Sequence, residues 1–330
     1  MTISKDRIVA AAEKYIRREQ YDKAIQEYER LVVADPEDVK SRLTIGYLHA
    51  RKGNRGEATR IYLEVAGHYE NAGSPQKTAA VLKQVLCLRP RYLDVHLKLA
   101  DLYKGMNQPS ESRTHLEGAY KLATEEQRTT EGLRILEAMV ELDPGNVALS
   151  IRLGEAYAHV NRVEEAVDAL TQATDLLRMA EWVDDFMRVA ERLLFLQPDN
   201  PELSRELASL YLRRGDPKSA LQKLQRCYEA DDTDTETLSL LADTFLAFGQ
   251  QDKAITILKV LAAFHEERNE IEYRDEVHRR ILYIDPALRD EILPRDHTPL
   301  DSIAGEVVAL TPPVPLTAAV TQILEIELVL

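Results

Sequence analysis

The chain has 330 residues, enough for two or three ordinary domains or one long repeat array. Hydrophobic residues make up 45%, which supports a continuous core and excludes global disorder. A charged fraction of 30% with a net charge of −14 argues against nucleic acid as the main partner, because phosphate binding needs a net-positive face.

The N-terminal stretch MTISKDRIVAAAEKYIRREQ has too short an apolar run for a signal peptide. Ile8, Ala12, Tyr15 and Ile16 recur at helical spacing and predict a first helix. Helical periodicity then runs almost unbroken to Leu288. The interruptions are short and carry Gly, Asn, Asp or Pro: ADPED, KGNRG, NAGSPQ, LRPRY, LDPGN, LQPDN, ADDTDTE. No window holds 18 uncharged apolar residues, so no membrane span is expected. Two cysteines far apart in sequence give no disulfide framework, which fits a reducing cytosol, and the cytoplasm is the expected location.

Four helix ends run into a proline, at Pro36, Pro90, Pro144 and Pro198, each 54 residues after the last. A proline there stops a helix because the residue before it is pushed out of the α region. Set at position 32 of a 34-residue frame, Pro36 makes Lys5 to Asp38 one unit, with Ala12 at position 8, Tyr15 at 11, Ala24 at 20 and Tyr28 at 24. This resembles the tetratricopeptide repeat, a helix–turn–helix unit of that period. In that family small residues at positions 8 and 20 let two helices approach closely.

The spacing of 54 follows if two such frames share one helix. The frame from Val39 carries Ile45, Gly46, Gly53, Ala58 and Tyr62; the frame ending at Pro90 starts at Thr59 and carries Tyr62, Ala66, Tyr69, Gly73 and Leu82. The helix near residues 56–71 therefore closes one frame and opens the next. Units 5–38, 39–92, 93–146, 147–200, 201–234 and 235–288 tile the chain, with three helices in each 54-residue unit and two in each 34-residue unit. The resemblance implies an all-α, right-handed α-solenoid of antiparallel helix pairs, about 16 helices long, over residues 1–290. Position 20 departs from the pattern at Thr78, Gly132 and Phe186, the family's usual Trp at position 4 is absent, and Trp182 falls in a loop-like stretch.

Residues 291–330 lose the small-residue pattern and read as an irregular or β-like docking or oligomerisation tail. TPPVP breaks any helix. ILEIELVL alternates apolar and acidic residues, which suits a short strand or equally one face of a short helix. Such an apolar tail needs a surface: the last repeat, another chain, or a further domain.

Little in the chain points to chemistry. Cys87 and Cys227 lie far apart on helix stripes and are expected to be buried small hydrophobes rather than a disulfide or zinc site. No two of the eight histidines have the i, i+4 spacing of a helical zinc site, and His265-Glu266 lacks its second histidine at Asn269. No nucleophile elbow or phosphate-binding glycine loop occurs, so no catalytic residue, metal or cofactor is expected. The basic pairs Arg17-Arg18, Arg51-Lys52 and Arg213-Arg214 sit where a cation complements a helix C-terminus. The acidic run Glu229 to Glu236 contains an expected N-cap.

The resemblance implies that a partner lies in the groove lined by first helices. Carried over, the groove residues are Leu43, Tyr47 and Arg51; Leu97, Asp101 and Lys104; Ile151, Glu155 and His159; Arg205, Ser209 and Arg213. No Asn occupies these positions, so the family's clamp for a chaperone tail is not implied. The expected function is a non-catalytic scaffold or adaptor for a peptide, helix or folded domain. The alternative is a regulatory or assembly subunit of a larger bacterial-type complex for motility, secretion or signalling. RNA binding is disfavoured by the acidic balance.

Overall fold

In the computed structural model, residues 5–292 and 317–327 are described. Sixteen helices, α1 to α16 in chain order, run from Lys5 to Ile284, the number expected. The first helices of the six units are α1 (Lys5–Arg17), α3 (Val39–Arg51), α6 (Leu93–Gly105), α9 (Val147–His159), α12 (Pro201–Arg213) and α14 (Thr235–Ala247). Each has 13 residues and begins on the first position of its frame. The closing helices have 14 residues: α2 (Tyr21–Ala34), α5 (Pro75–Leu88), α8 (Thr129–Leu142), α11 (Val183–Leu196), α13 (Pro217–Ala230) and α16 (Ile271–Ile284).

The shared helices are α4 (Arg55–Asn71), α7 (Pro109–Glu125), α10 (Val163–Met179) and α15 (Gln251–Glu267), of 17 residues each. That length is what sharing requires. A closing helix starting at Arg55 and an opening helix ending at Asn71, superposed four residues out of step, span just those residues. The helix is one turn longer than either of the helices it stands for.

Two kinds of joint alternate along the chain. The joint inside each frame turns through a left-handed residue at position 15: Glu19, Asn107, Gln127, Asn161, Glu181 and Asn269, and the glycines 53, 73, 215 and 249. Ten frames supply ten such residues, including the second frame of every 54-residue unit. The joint between units carries no positive φ. There Asp38, Asn146, Asn200 and Asp234 accept hydrogen bonds from the backbone of Ser41, Leu149, Leu203 and Thr237, satisfying donors left free at the helix start.

The chain packs as two units, Met1–Ala169 and Leu170–Leu330. Within each, consecutive helices pack against one another. Positions 8 and 20 are the close approaches. Ala12 and Ala24, Ala208 and Ala220, and Ala242 and Ala254 are fully buried, and the Ser112 hydroxyl donates to the Ala100 carbonyl at 2.9 Å. At Gly46 a Cβ would lie 2.8 Å from the Tyr62 ring, so only glycine fits beneath that tyrosine. The irregular positions 20 are also interior: Thr78 and Phe186 are buried, and Gly132 sits opposite the large Tyr120. Leucines such as Leu99, Leu136, Leu207 and Leu241 fill the space between helices, each worth about 1.5–3 kcal/mol of burial.

Ion pairs join helices two apart and show how the helices are layered. Lys98 and Lys104 of α6 pair with Glu70 of α4 and Glu141 of α8, and Lys5 of α1 pairs with Asp38 at the start of α3. In the second unit Lys223 of α13 pairs with Glu191 of α11, and Arg280 of α16 with Asp243 of α14. Within each of the two units, even-numbered helices thus share one layer and odd-numbered helices the other.

Two expectations are corrected. Cys87 is exposed: it lies two residues beyond the buried Val85, which turns it to the opposite side of α5. The tail is not β-like where it is described. After a 3₁₀ turn (Pro286–Leu288) and α17 (Arg289–Ile292), residues Ala318–Glu327 form α18, which packs on α15. Val320 and Leu324, four apart, are buried while Gln322 between them is exposed, which helical spacing allows and a strand, which would put all three on one face, does not. Residues 328–330 of the expected strand lie outside the described residues.

Candidate functional site

The groove expected on first helices is divided by the layering. Because each 54-residue unit adds three helices, α3 lies with the odd-numbered helices and α6 with the even-numbered ones. Leu43, Tyr47 and Arg51 therefore do not share a face with Leu97, Asp101 and Lys104; Ile151, Glu155 and His159 on α9 return to the odd layer. In the second unit, where one helix separates them, α12 and α14 do pack directly.

The side chains themselves are in varied states. Tyr47 is 50% exposed, and the exposed Arg51 guanidinium hydrogen-bonds Tyr21, the main cause of its raised pKa. Leu43, Leu97 and Ile151 are half-buried; Asp101, Glu155, His159 and Arg213 are exposed. Lys104 is paired with Glu141 at 2.9 Å. Arg205 is held inside the fold by Asp234 at 2.7 Å and Glu236 at 3.0 Å, with Ser209 half-buried one turn on. The second residues of two basic pairs are likewise committed, Lys52 to Asp22 and Arg214 to Asp184.

A better-formed recess lies on the odd layer of the second unit, between α11 and α13. Glu191, Leu194, Phe195, Pro198, Lys223 and Arg226 line it, and it continues past Ser204 to Cys227. Phe195 is 73% exposed, with the Arg192 guanidinium 5.3 Å from its ring centroid. Glu191 accepts a hydrogen bond from the Tyr211 hydroxyl at 2.9 Å and pairs with Lys223, so its charge is internally matched. Burial, with that carboxylate beside it, pushes the Tyr211 hydroxyl up to about 12. Tyr157 repeats the contact on Glu137 in the first unit at 2.7 Å. Arg226 is exposed and makes no ion pair among the described residues. Cys227 forms part of the floor, and burial raises its thiol pKa, which keeps it unreactive. The sequence reading passed over Glu191, Phe195, Lys223 and Arg226 because they lie on closing helices, which the resemblance assigns to structure.

The histidines hold one surprise of position. His96 on α6 and His115 on α7 face each other, their Nδ1 atoms 3.4 Å apart, although 19 residues separate them in the chain. Nε2 of His96 lies 3.1 Å from the Pro90 carbonyl and donates to it. His115 stacks on Tyr103, and Gly118 leaves room for the His96 ring: a Cβ there would sit 2.9 Å from it. Burial, then His96 and Lys83, lower the His115 pKa. Among the described residues no group of three or more His, Cys, Asp or Glu side chains converges as a metal site, and no helix is long and apolar enough to cross a membrane.

Tetratricopeptide-repeat family models match residues 9–75, 123–182 and 176–243, together more than half of the chain. No curated protein sequence matches the chain. Similar solved structures include a tetratricopeptide repeat protein from Parabacteroides merdae, 13% identical, covering 82% of this chain and 97% of that one with a TM-score of 0.26. Pseudomonas aeruginosa pilF is 17% identical, with 66% and 99% covered and a TM-score of 0.26. The TPR2AB domain of yeast Sti1, in a complex with a pHSP90 component, is 13% identical, with 84% and 97% covered and a TM-score of 0.27. The frame lengths, the ten left-handed joints and the three family matches agree: the chain belongs to the tetratricopeptide-repeat family, whose repeats mark it as a protein-interaction scaffold.

Proposed function

We propose that this scaffold works as a non-catalytic adaptor and that its second unit grips a segment of a protein partner in the recess between α11 and α13. The observation that carries this is the pairing of an exposed aromatic, Phe195, with an uncommitted cation, Arg226, on the walls of one recess. Aromatic and Arg side chains at a concave surface supply most of the binding energy in protein interfaces. The matching segment offers an apolar side chain for Phe195 and Pro198 and a carboxylate for Arg226. Tyr47 and Arg51, exposed on α3, are a second contact surface in the first unit.

A photo-crosslinking amino acid placed at position 195 in cells tests this, with the exposed Val33 as the control position. A discrete crosslinked protein at 195 that is absent at 33, and reduced at least fivefold by Arg226→Glu, is expected. The same products at both positions would remove the recess from consideration.

A further inference from the structure

The four shared helices are equivalent in length and in their place in the frame, so their outward faces can be compared position by position. Glu64 and Gly67 of α4 correspond to Gly118 and Lys121 of α7, Gln172 and Asp175 of α10, and Val260 and Ala263 of α15. On three of these faces no apolar side chain stands at either position: Glu64 is exposed, Gly118 lies under the His96 ring and Gln172 is half-buried. The fourth is apolar, and Val260 is only 6% exposed where Glu64 faces solvent. A position that holds Glu, Gly or Gln on the other shared helices is apolar here.

What lies against α15 is α18. Val320 and Leu324 of α18 are buried in the same apolar cluster as Val260, Leu261 and Phe264, with Ile323 at its edge. The Tyr228 hydroxyl at the end of α13 donates to the Thr317 carbonyl at 2.9 Å, with the Thr321 hydroxyl at 3.4 Å. So α18 reaches across both α13 and α15, two odd-layer helices, one groove along from the recess between α11 and α13. Among the described residues the Tyr228 contacts are the hydrogen bonds that tie it down.

The attachment is that of a tethered ligand. Residues 293–316, with five prolines among them, separate α18 from α17. That contour is long enough for the helix to leave the groove and remain attached. A helix of ten residues is marginal by itself in water, so its helical form depends on the surface it covers.

Building on the adaptor reading, we propose that the α13–α15 groove is the docking site for an amphipathic helix of a partner protein, and that α18 occupies it in cis as a placeholder. The partner helix carries apolar residues at the i, i+4 spacing of Val320 and Leu324, and it enters from the open recess beside Phe195. Tethering holds α18 at a high local concentration, so a partner displaces it only by binding better or by contacting both grooves at once.

The test uses the full-length chain and, as probe, a fluorescein-labelled synthetic peptide of residues 314–330. Wild-type protein is expected to bind the peptide weakly, and Val320→Asp with Leu324→Asp, which releases α18, at least tenfold more tightly. Adding Tyr228→Phe to the released protein should weaken binding severalfold, and adding Val260→Asp should abolish it, with circular dichroism confirming that both remain helical. Equal binding by wild-type and released protein would overturn the proposal. A wild-type dimer by light scattering that the released variant lacks would also overturn it, because α18 would then serve a second copy. A surviving crosslink at Phe195 beside a failed peptide experiment refutes this inference alone; loss of that crosslink refutes the adaptor reading itself.

Discussion

The three-helix units α3–α5 and α14–α16 hold the same place in the repeat frame and fill it differently. In the first, Gly46 lies under the Tyr62 ring; at the same positions the second has Ala242 and Leu258. Each pairs a smaller residue with a larger one, so the gap between helices is filled either way. The outward faces diverge more: Glu64 faces solvent on α4, whereas Val260 is covered on α15. The repeat constrains the volume between its helices and leaves the outward face free to take on a role.

The sharpest way to break that comparison is Gly46→Ala. Its Cβ would lie 2.8 Å from the Tyr62 ring, and overpacking of this kind costs about 1–3 kcal/mol, read as a lower midpoint in urea unfolding. Adding Tyr62→Leu imports the second unit's pair of residues and should recover most of the loss. A double mutant as unstable as the sum of the two singles would show that the pairs are not interchangeable.

A smaller effect of opposite sign is expected at Gly132. There a Cβ would meet Ala123 and Tyr120 at 4.0 Å, ordinary contact, and nothing calls for glycine in that turn of α8. Gly132→Ala should stabilise the chain by about 0.5–1 kcal/mol through helix propensity alone.

The smallest effect is with pH. Burial holds His115 below its ordinary pKa, and burial with Arg274 does the same for His278. Below about pH 6.5 the unfolded chain then binds more protons than the folded one, so stability falls as pH drops. The melting temperature should fall between pH 7.5 and 5.5, and His115→Gln should flatten that dependence. An unchanged slope would mean that the His115 environment is more open than its packing indicates.

Much of the architecture was legible because it repeats. The late prolines set the frame, Gly46 and Ala58 marked a close approach, and the overlap of two frames at Tyr62 gave the number and order of helices. What the frame does not encode was hidden. His96 and His115 meet only because α6 and α7 pack together, a juxtaposition with no trace in their spacing. Cys87 shares a helix with buried residues, and its one-sided exposure needs the packing of α5 to be known. Arg205 looked like a ligand contact until Asp234, 29 residues on, was seen to hold it. The alternation of ILEIELVL admitted strand or helix, and the buried surface of α15 decided between them.

The shared helix also bears on how such arrays grow. Duplicating a 34-residue unit adds an even number of helices and leaves every later repeat presenting the side it presented before. Duplicating a 54-residue unit adds an odd number, and within a continuous stack each later first helix changes sides. Parity is thus an inheritable variable: one duplication can move the first helices that follow, with their outward residues, from one layer to the other without altering a single residue of those repeats.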